Sequence, residues 1–66
     1  MTKRQLKANI RRAIANIRTQ KEYEELGARI IACEIQGYIT FDESFKYIMD
    51  LSKQLLQLRD AGILEV

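Results

Sequence analysis

The 66-residue chain contains no histidine, no proline and no tryptophan, a single cysteine and only three glycines. Without histidine, and with Cys33 alone, neither a Cys/His zinc site nor an internal disulfide can form. Nucleophilic catalysis would have to rest on Cys33, or on a serine with a lysine or carboxylate base. Cys33 falls on the same helical face as Tyr23, Leu26 and Ile30, where a small buried apolar role is the simpler reading. The glycines stand apart at positions 27, 37 and 62, so there is no glycine-rich phosphate loop. Carboxylates at 22, 24, 25 and 34 lack the Glu-x-x-His partner that helical di-metal sites require. Their simpler role is ion pairing one turn apart, Glu25 with Arg29, as for Asp50 with Lys46 or Lys53. We therefore expect no catalytic residue, no metal site and no cofactor.

No run of apolar residues approaches the length of a membrane span. A lone thiol without a disulfide framework fits a reducing compartment, so the expected location is the cytoplasm. With neither proline nor a Gly/Ser linker to mark a boundary, residues 1–66 read as a single domain. A domain of this size buries only about 60% of the surface its unfolded chain exposes, so idealised helix packing or a second subunit must supply what the core cannot.

What is present is helical grammar. The three threonines are each followed three residues later by Gln or Glu: Thr2 and Gln5, Thr19 and Glu22, Thr40 and Glu43. In this capping-box pattern the hydroxyl and the longer side chain each satisfy a free N–H at a helix start. Gly37 follows "IIACEIQ" and Gly62 follows "LQLRDA", where a left-handed residue ends a helix and the next residue folds back on the last turn. The expected fold is all-α, with helices over about 3–18, 20–36 and 41–61 and a hairpin of the second and third. Between the first two helices the apolar phase changes. Leu6, Ile10, Ala13, Ile14 and Ile17 share one face, and Tyr23, Leu26, Ile30 and Cys33 would fall nearly opposite on a straight helix. A break or kink at 18–22 is expected, and both forms remain open.

The third helix is the most apolar. Phe41, Phe45, Ile48, Met49, Ser52, Leu55 and Leu56 form one wide stripe, which Tyr47, Leu51 and Leu58 carry past half the circumference. Ile31 and Ile35 lie off the main face of the second helix. Surplus apolar surface on a small chain marks an interface, and a two-fold homodimer is the commonest closed solution. The expected dimer interface is Ile31, Ile35, Tyr47, Leu51 and Leu58. Of the three tyrosines, 23, 38 and 47, base stacking is a weaker reading than helix packing, and Tyr47 is the one expected to meet a partner subunit. "GYITFDESF", residues 37 to 45, resembles the glycine turn and capped second helix of small oligomerisation hairpins such as the SHOCT domain. That resemblance implies an αα-hairpin with a role in assembly. The plan of a short helical chain that completes its core by pairing is also that of Rop-like dimers.

Charge is unevenly placed. Residues 1–21 carry seven basic and no acidic side chains, whereas residues 22–66 carry four basic and nine acidic ones. A helix N-terminus favours acids, yet the first helix opens with Lys3, Arg4 and Lys7. Lys3, Arg4, Lys7, Arg11 and Arg18 fall in one arc beside the Leu6/Ile10/Ile14/Ile17 face, with Arg12 outside it. These six are the candidate binding residues. The arc could steer an acidic protein surface onto the adjacent apolar stripe. It could instead contact nucleic-acid phosphates, with Gln5, Asn9 and Asn16 at hand, or pair internally with "EYEE" and the later acids. Helix-turn-helix recognition is disfavoured because the third helix begins with Asp42 and Glu43. From the sequence, the function reads as a small non-catalytic regulator or adaptor that binds a protein partner through its basic first helix, with nucleic-acid binding as the alternative. Size and simplicity suit an accessory protein of a phage, plasmid or bacterial regulatory circuit.

Overall fold

Each of the three Thr-x-x-Gln/Glu sequences starts a helix. In the computed structural model, which describes residues 2–65, these are α1 (Lys3–Ala15), α2 (Gln20–Ile35) and α3 (Phe41–Asp60). All three boxes are closed reciprocally. For α1, Gln5 N–H donates to Thr2 Oγ1 at 3.1 Å while Thr2 N–H donates to Gln5 Oε1 at 3.0 Å. The matching bonds of α2 run between Thr19 and Glu22, and those of α3 between Thr40 and Glu43. Each box satisfies two N–H groups that the helix ladder leaves free.

The stops are equally local. Gly37 takes φ 83° and Gly62 φ 72°, and the residue after each donates back to the carbonyl five positions earlier: Tyr38 to Cys33 at 2.9 Å, Ile63 to Leu58 at 3.0 Å. This is the Schellman arrangement, and the left-handed φ is why glycine stands at both positions.

The expected break between the first two helices is real, and α1 ends at Ala15 rather than near residue 18. Asn16 caps it without a glycine: its N–H donates to the Ala13 carbonyl at 3.1 Å and its Nδ2 to the Arg12 carbonyl at 2.8 Å. Arg18 then lies in the connection, where its backbone N–H donates to Glu22 Oε1. Glu65 N–H donates to the Arg18 carbonyl at 2.7 Å, and Thr19 and Glu65 form an isolated parallel bridge. The tail beyond α3 thus returns to the α1/α2 connection.

One core serves all three helices. Ile10, Ile14 and Ile17 from α1 and its exit, Leu26 and Ile30 from α2, Ile39 from the turn, and Tyr47, Leu51 and Leu58 from α3 are buried together, with Leu6, Ala13, Tyr23, Cys33, Ile48 and Leu64 packed around them. This corrects the expected interface. Tyr47, Leu51 and Leu58 have 6%, 1% and 4% of their surface accessible and are spent inside their own chain. The inward seam of α3 is Ser44, Tyr47, Leu51 and Leu58. The stripe of Phe41, Phe45, Met49 and Leu56 lies outside.

Candidate functional site: the basic face of α1

The inward face of α1 is fixed by Ile10 and Ile14, which are buried, and Leu6 and Ala13, which are partly so. Turning 100° per residue from Ile10, Lys7 falls at the edge of this face, and Arg4, Ala8, Arg11, Arg12 and Ala15 follow on the outward side. Lys3, Arg4, Arg11 and Arg12 are all exposed. A shallow depression lined by Gln5, Ala8, Asn9 and Arg12 runs beside them. Because residues 8 and 15 are alanine, no bulky side chain stands between the three arginines on this face.

Lys7 has a different role. Its Nζ pairs with the carboxylate of Glu43 in the first turn of α3, and this is the only ion pair within 4 Å among the described residues. Lys7, with the Thr40 backbone N–H as the second contributor, lowers the Glu43 pKa from 4.5 to about 2. One Glu43 side chain thus closes the α3 capping box and ties α1 to α3. Lys7 is a clamp between helices and leaves the candidate binding set.

Arg18 also departs from the expected arc. It lies beyond the end of α1, and its Nη1 donates to the carbonyl of Ile17 at 2.8 Å. The stripe read from the sequence assumed a helix running through residue 18, and the Asn16 cap ends that assumption. Arg12, placed outside the arc, is instead central to the outward face once Lys7 and Arg18 are removed. Neither Glu25 with Arg29 nor Asp50 with either neighbouring lysine forms the expected pair, although Glu25 and Arg29 line one depression with Asn16 and Glu22. Internal pairing with "EYEE" therefore does not account for the charge on α1: Glu22 is engaged by its capping box and by Arg18 N–H.

Tyr23 is half-buried, with its hydroxyl 3.5 Å from Ser52 Oγ. Tyr38 is exposed in the α2/α3 turn and lines an open depression with Leu6 and Cys33. Among the described residues no cluster of three His, Cys, Asp or Glu side chains is arranged to hold a metal ion, and no helix is long and apolar enough to cross a membrane. No protein-family model matches the chain, and no characterised protein or solved structure matches it significantly.

Proposed function

We propose that the protein is a small non-catalytic helical module that binds a polyanion backbone, nucleic acid in the first place, through Arg4, Arg11 and Arg12 of α1, with Lys3 at its start. The observation that supports this reading is the division of labour on α1. Its apolar stripe, Leu6, Ile10, Ile14 and Ile17, is taken up by the core, and its outward face keeps three arginines that form no ion pair among the described residues. A protein partner steered by charge onto the apolar stripe would find that stripe occupied. Phosphates need no apolar anchor: an exposed guanidinium offers a planar fork of donors to their oxygens. The alanines at 8 and 15 let a backbone approach closely. An acidic protein surface that uses only the basic face is the second reading. Self-association of two chains is part of the proposal, because linking two basic helices multiplies a weak contact without adding a new one.

Anisotropy of a labelled mixed-sequence duplex, titrated across salt, tests the reading. Four phosphate contacts per chain imply a slope of log K against log[salt] of about −3.6. Arg11→Ala and Arg12→Ala should each flatten the slope by about 1 and weaken binding to all sequences alike. Absence of binding at 50 mM salt overturns nucleic acid as the ligand. An acidic polypeptide such as polyglutamate is then the probe for the second reading.

A further inference from the structure

The largest feature the α1 reading leaves unused lies on the other side of the molecule. On α2, Gly27 faces α3, for a methyl group placed there would sit 3.8 Å from Leu51 Cδ2. Ile31 and Ile35 follow Gly27 in helical phase and pass beyond the contact with α3, away from α1. On α3, Ser52 meets Tyr23 of α2, Glu43 meets Lys7 of α1, and Phe41, Phe45, Met49 and Leu56 cluster on the Ser52 side. Both sets therefore share the outer face of the α2/α3 hairpin. Ile35 is 78% exposed, Phe41 68% and Phe45 59%, and the two phenylalanine rings stack with centroids 6.5 Å apart.

Three features identify what covers this face. The first is area. The chain exposes 4951 Å², whereas a compact monomer of 7.7 kDa exposes about 4,300 Å². The surplus, about 600 Å² over the whole chain, is of the order of the roughly 800 Å² that one partner contributes to a standard interface. The second is register. Phe41, Phe45, Met49 and Leu56 stand exposed along the outer side of α3, and Ile48 and Ser52, half-buried, border them on the side toward α2. This set of six is self-complementary about the midpoint between Ile48 and Met49. With α3 antiparallel on a second α3, Phe41 meets Leu56 of the partner subunit, Phe45 meets Ser52 of the partner subunit and Ile48 meets Met49 of the partner subunit. The third is charge: the same alignment brings Asp42, in the first turn, toward Lys53 of the partner subunit and sets the two helix dipoles head to tail.

We infer that the outer α2/α3 face pairs two copies of this chain, α3 antiparallel on α3, so that the two basic α1 faces point in opposite directions and the dimer bridges two polyanion segments. The bridging rests on the α1 reading above; the pairing does not. Helix layers pack 8–10 Å apart, so the two α1 axes are separated by three layer spacings, roughly 27 Å, with the hairpins of both subunits between them.

The test has two arms on the same proteins. Sedimentation equilibrium without nucleic acid reads the pairing: the wild type should have twice the chain mass at micromolar concentrations, and Phe45→Glu the mass of one chain with unchanged helical circular dichroism. Met49→Cys, made with Cys33→Ser, should oxidise to a covalent dimer in air, whereas Asn9→Cys in the same background should not. A monomeric wild type at 100 μM overturns the pairing, and a dimer that survives Phe45→Glu overturns this face as its seat. The second arm uses a bead-bound duplex to capture a second, labelled duplex. Wild type should capture it, and Phe45→Glu should bind the first duplex yet lose capture at least tenfold. Equal capture by the Phe45→Glu monomer overturns the bridge. If no duplex binds at all, the α1 reading and the bridge fall together and the mass measurement still decides the pairing.

Discussion

Glu43 shows how much one side chain carries in a chain this short. It closes the α3 capping box and holds Lys7 across the α1/α3 contact, and its pKa falls from 4.5 to about 2. A carboxylate with a depressed folded-state pKa contributes stability that is fully present above its unfolded value and is lost as pH falls through the folded one. The Lys7–Glu43 contribution is thus expected at pH 5 and above and should disappear between about pH 4.5 and pH 2. Glu43→Gln keeps the box, as Gln5 does for α1, and removes the charge. Thermal melts of wild type and Glu43→Gln should differ at pH 7 and converge by pH 2, and a constant difference would assign the effect to the cap. Lys7→Ala should lower the melting temperature at pH 7, whereas Arg11→Ala and Arg12→Ala should leave it within a degree or two, because surface positions without a partner change stability by less than about 0.5 kcal/mol. Gly27 offers the opposite change. It lies inside α2 with a helical φ, and an added methyl would make ordinary contact with Leu51. Gly27→Ala should stabilise the chain by about 0.5–1 kcal/mol, read by urea denaturation. Gly37→Ala, forced to a φ of 83°, should destabilise it by about 1–2 kcal/mol.

At the scale of the helices, ends were legible in the sequence and faces were only partly so. A capping box is a contact over three residues and a Schellman turn one over five, so Thr2, Thr19, Thr40, Gly37 and Gly62 state their roles without knowledge of the rest of the fold. α1 is also plain, since its apolar residues fill one arc. α3 is ambiguous because it is apolar on two seams. Residues 44, 47, 51 and 58 make one and residues 41, 45, 49 and 56 the other, and each alone would pass for a core face. Aromatic rings at 41 and 45 give the outer seam the apolar bulk of an interior. The choice depends on where the Gly37 turn delivers α3 against α2 and α1, and the Lys7–Glu43 pair, 36 residues apart in sequence, belongs to the same long-range geometry. Mutation separates the two seams. Tyr47→Ala or Leu51→Ala should cost about 2–5 kcal/mol, as large-to-small changes in a packed core do, enough to unfold a domain with so little margin. Phe45→Ala should leave the fold of one chain intact by circular dichroism. The site shows the same contrast: the presence of a basic α1 was legible, but the identity of its working residues was not. Lys7 was claimed by a distant glutamate and Arg18 by an early cap, and Arg12 moved to the centre once they left.

The whole molecule measures 36 × 19 × 16 Å, which is two helix layers thick. Two layers give each helix one sheltered side. For α1 the unsheltered side is charged and can face water or phosphate indefinitely. For the α2/α3 hairpin it is apolar, with a surface of the kind that monomeric proteins rarely leave open over several hundred Å². Apolar burial on pairing carries a heat-capacity signature. The expected consequence is a melting temperature that rises with protein concentration in the wild type and stays constant in Phe45→Glu. Differential scanning calorimetry over a hundredfold range of concentration reads this directly, and a concentration-independent wild type would count against pairing.

The bond from Glu65 to the Arg18 carbonyl has a consequence for the order in which the chain is made. α1 is synthesised before both of these contacts, Glu43 at the start of α3 and the segment at Leu64 and Glu65 beyond it. Until they arrive the isoleucines at 10, 14 and 17 have, of the buried core, only Leu26 and Ile30 of α2 and Ile39 of the turn to pack against, and the nascent chain displays a basic amphipathic helix at the mouth of a machine built largely of RNA. Domains generally fold as units as their chain appears. Here the Glu65 bond to the Arg18 carbonyl can form only after α3 has been made, so a translational pause within α3 should lengthen the life of the open form. Ribosome-bound chains stalled with residues up to 40 clear of the exit tunnel should be far more sensitive to protease within α1 than released ones.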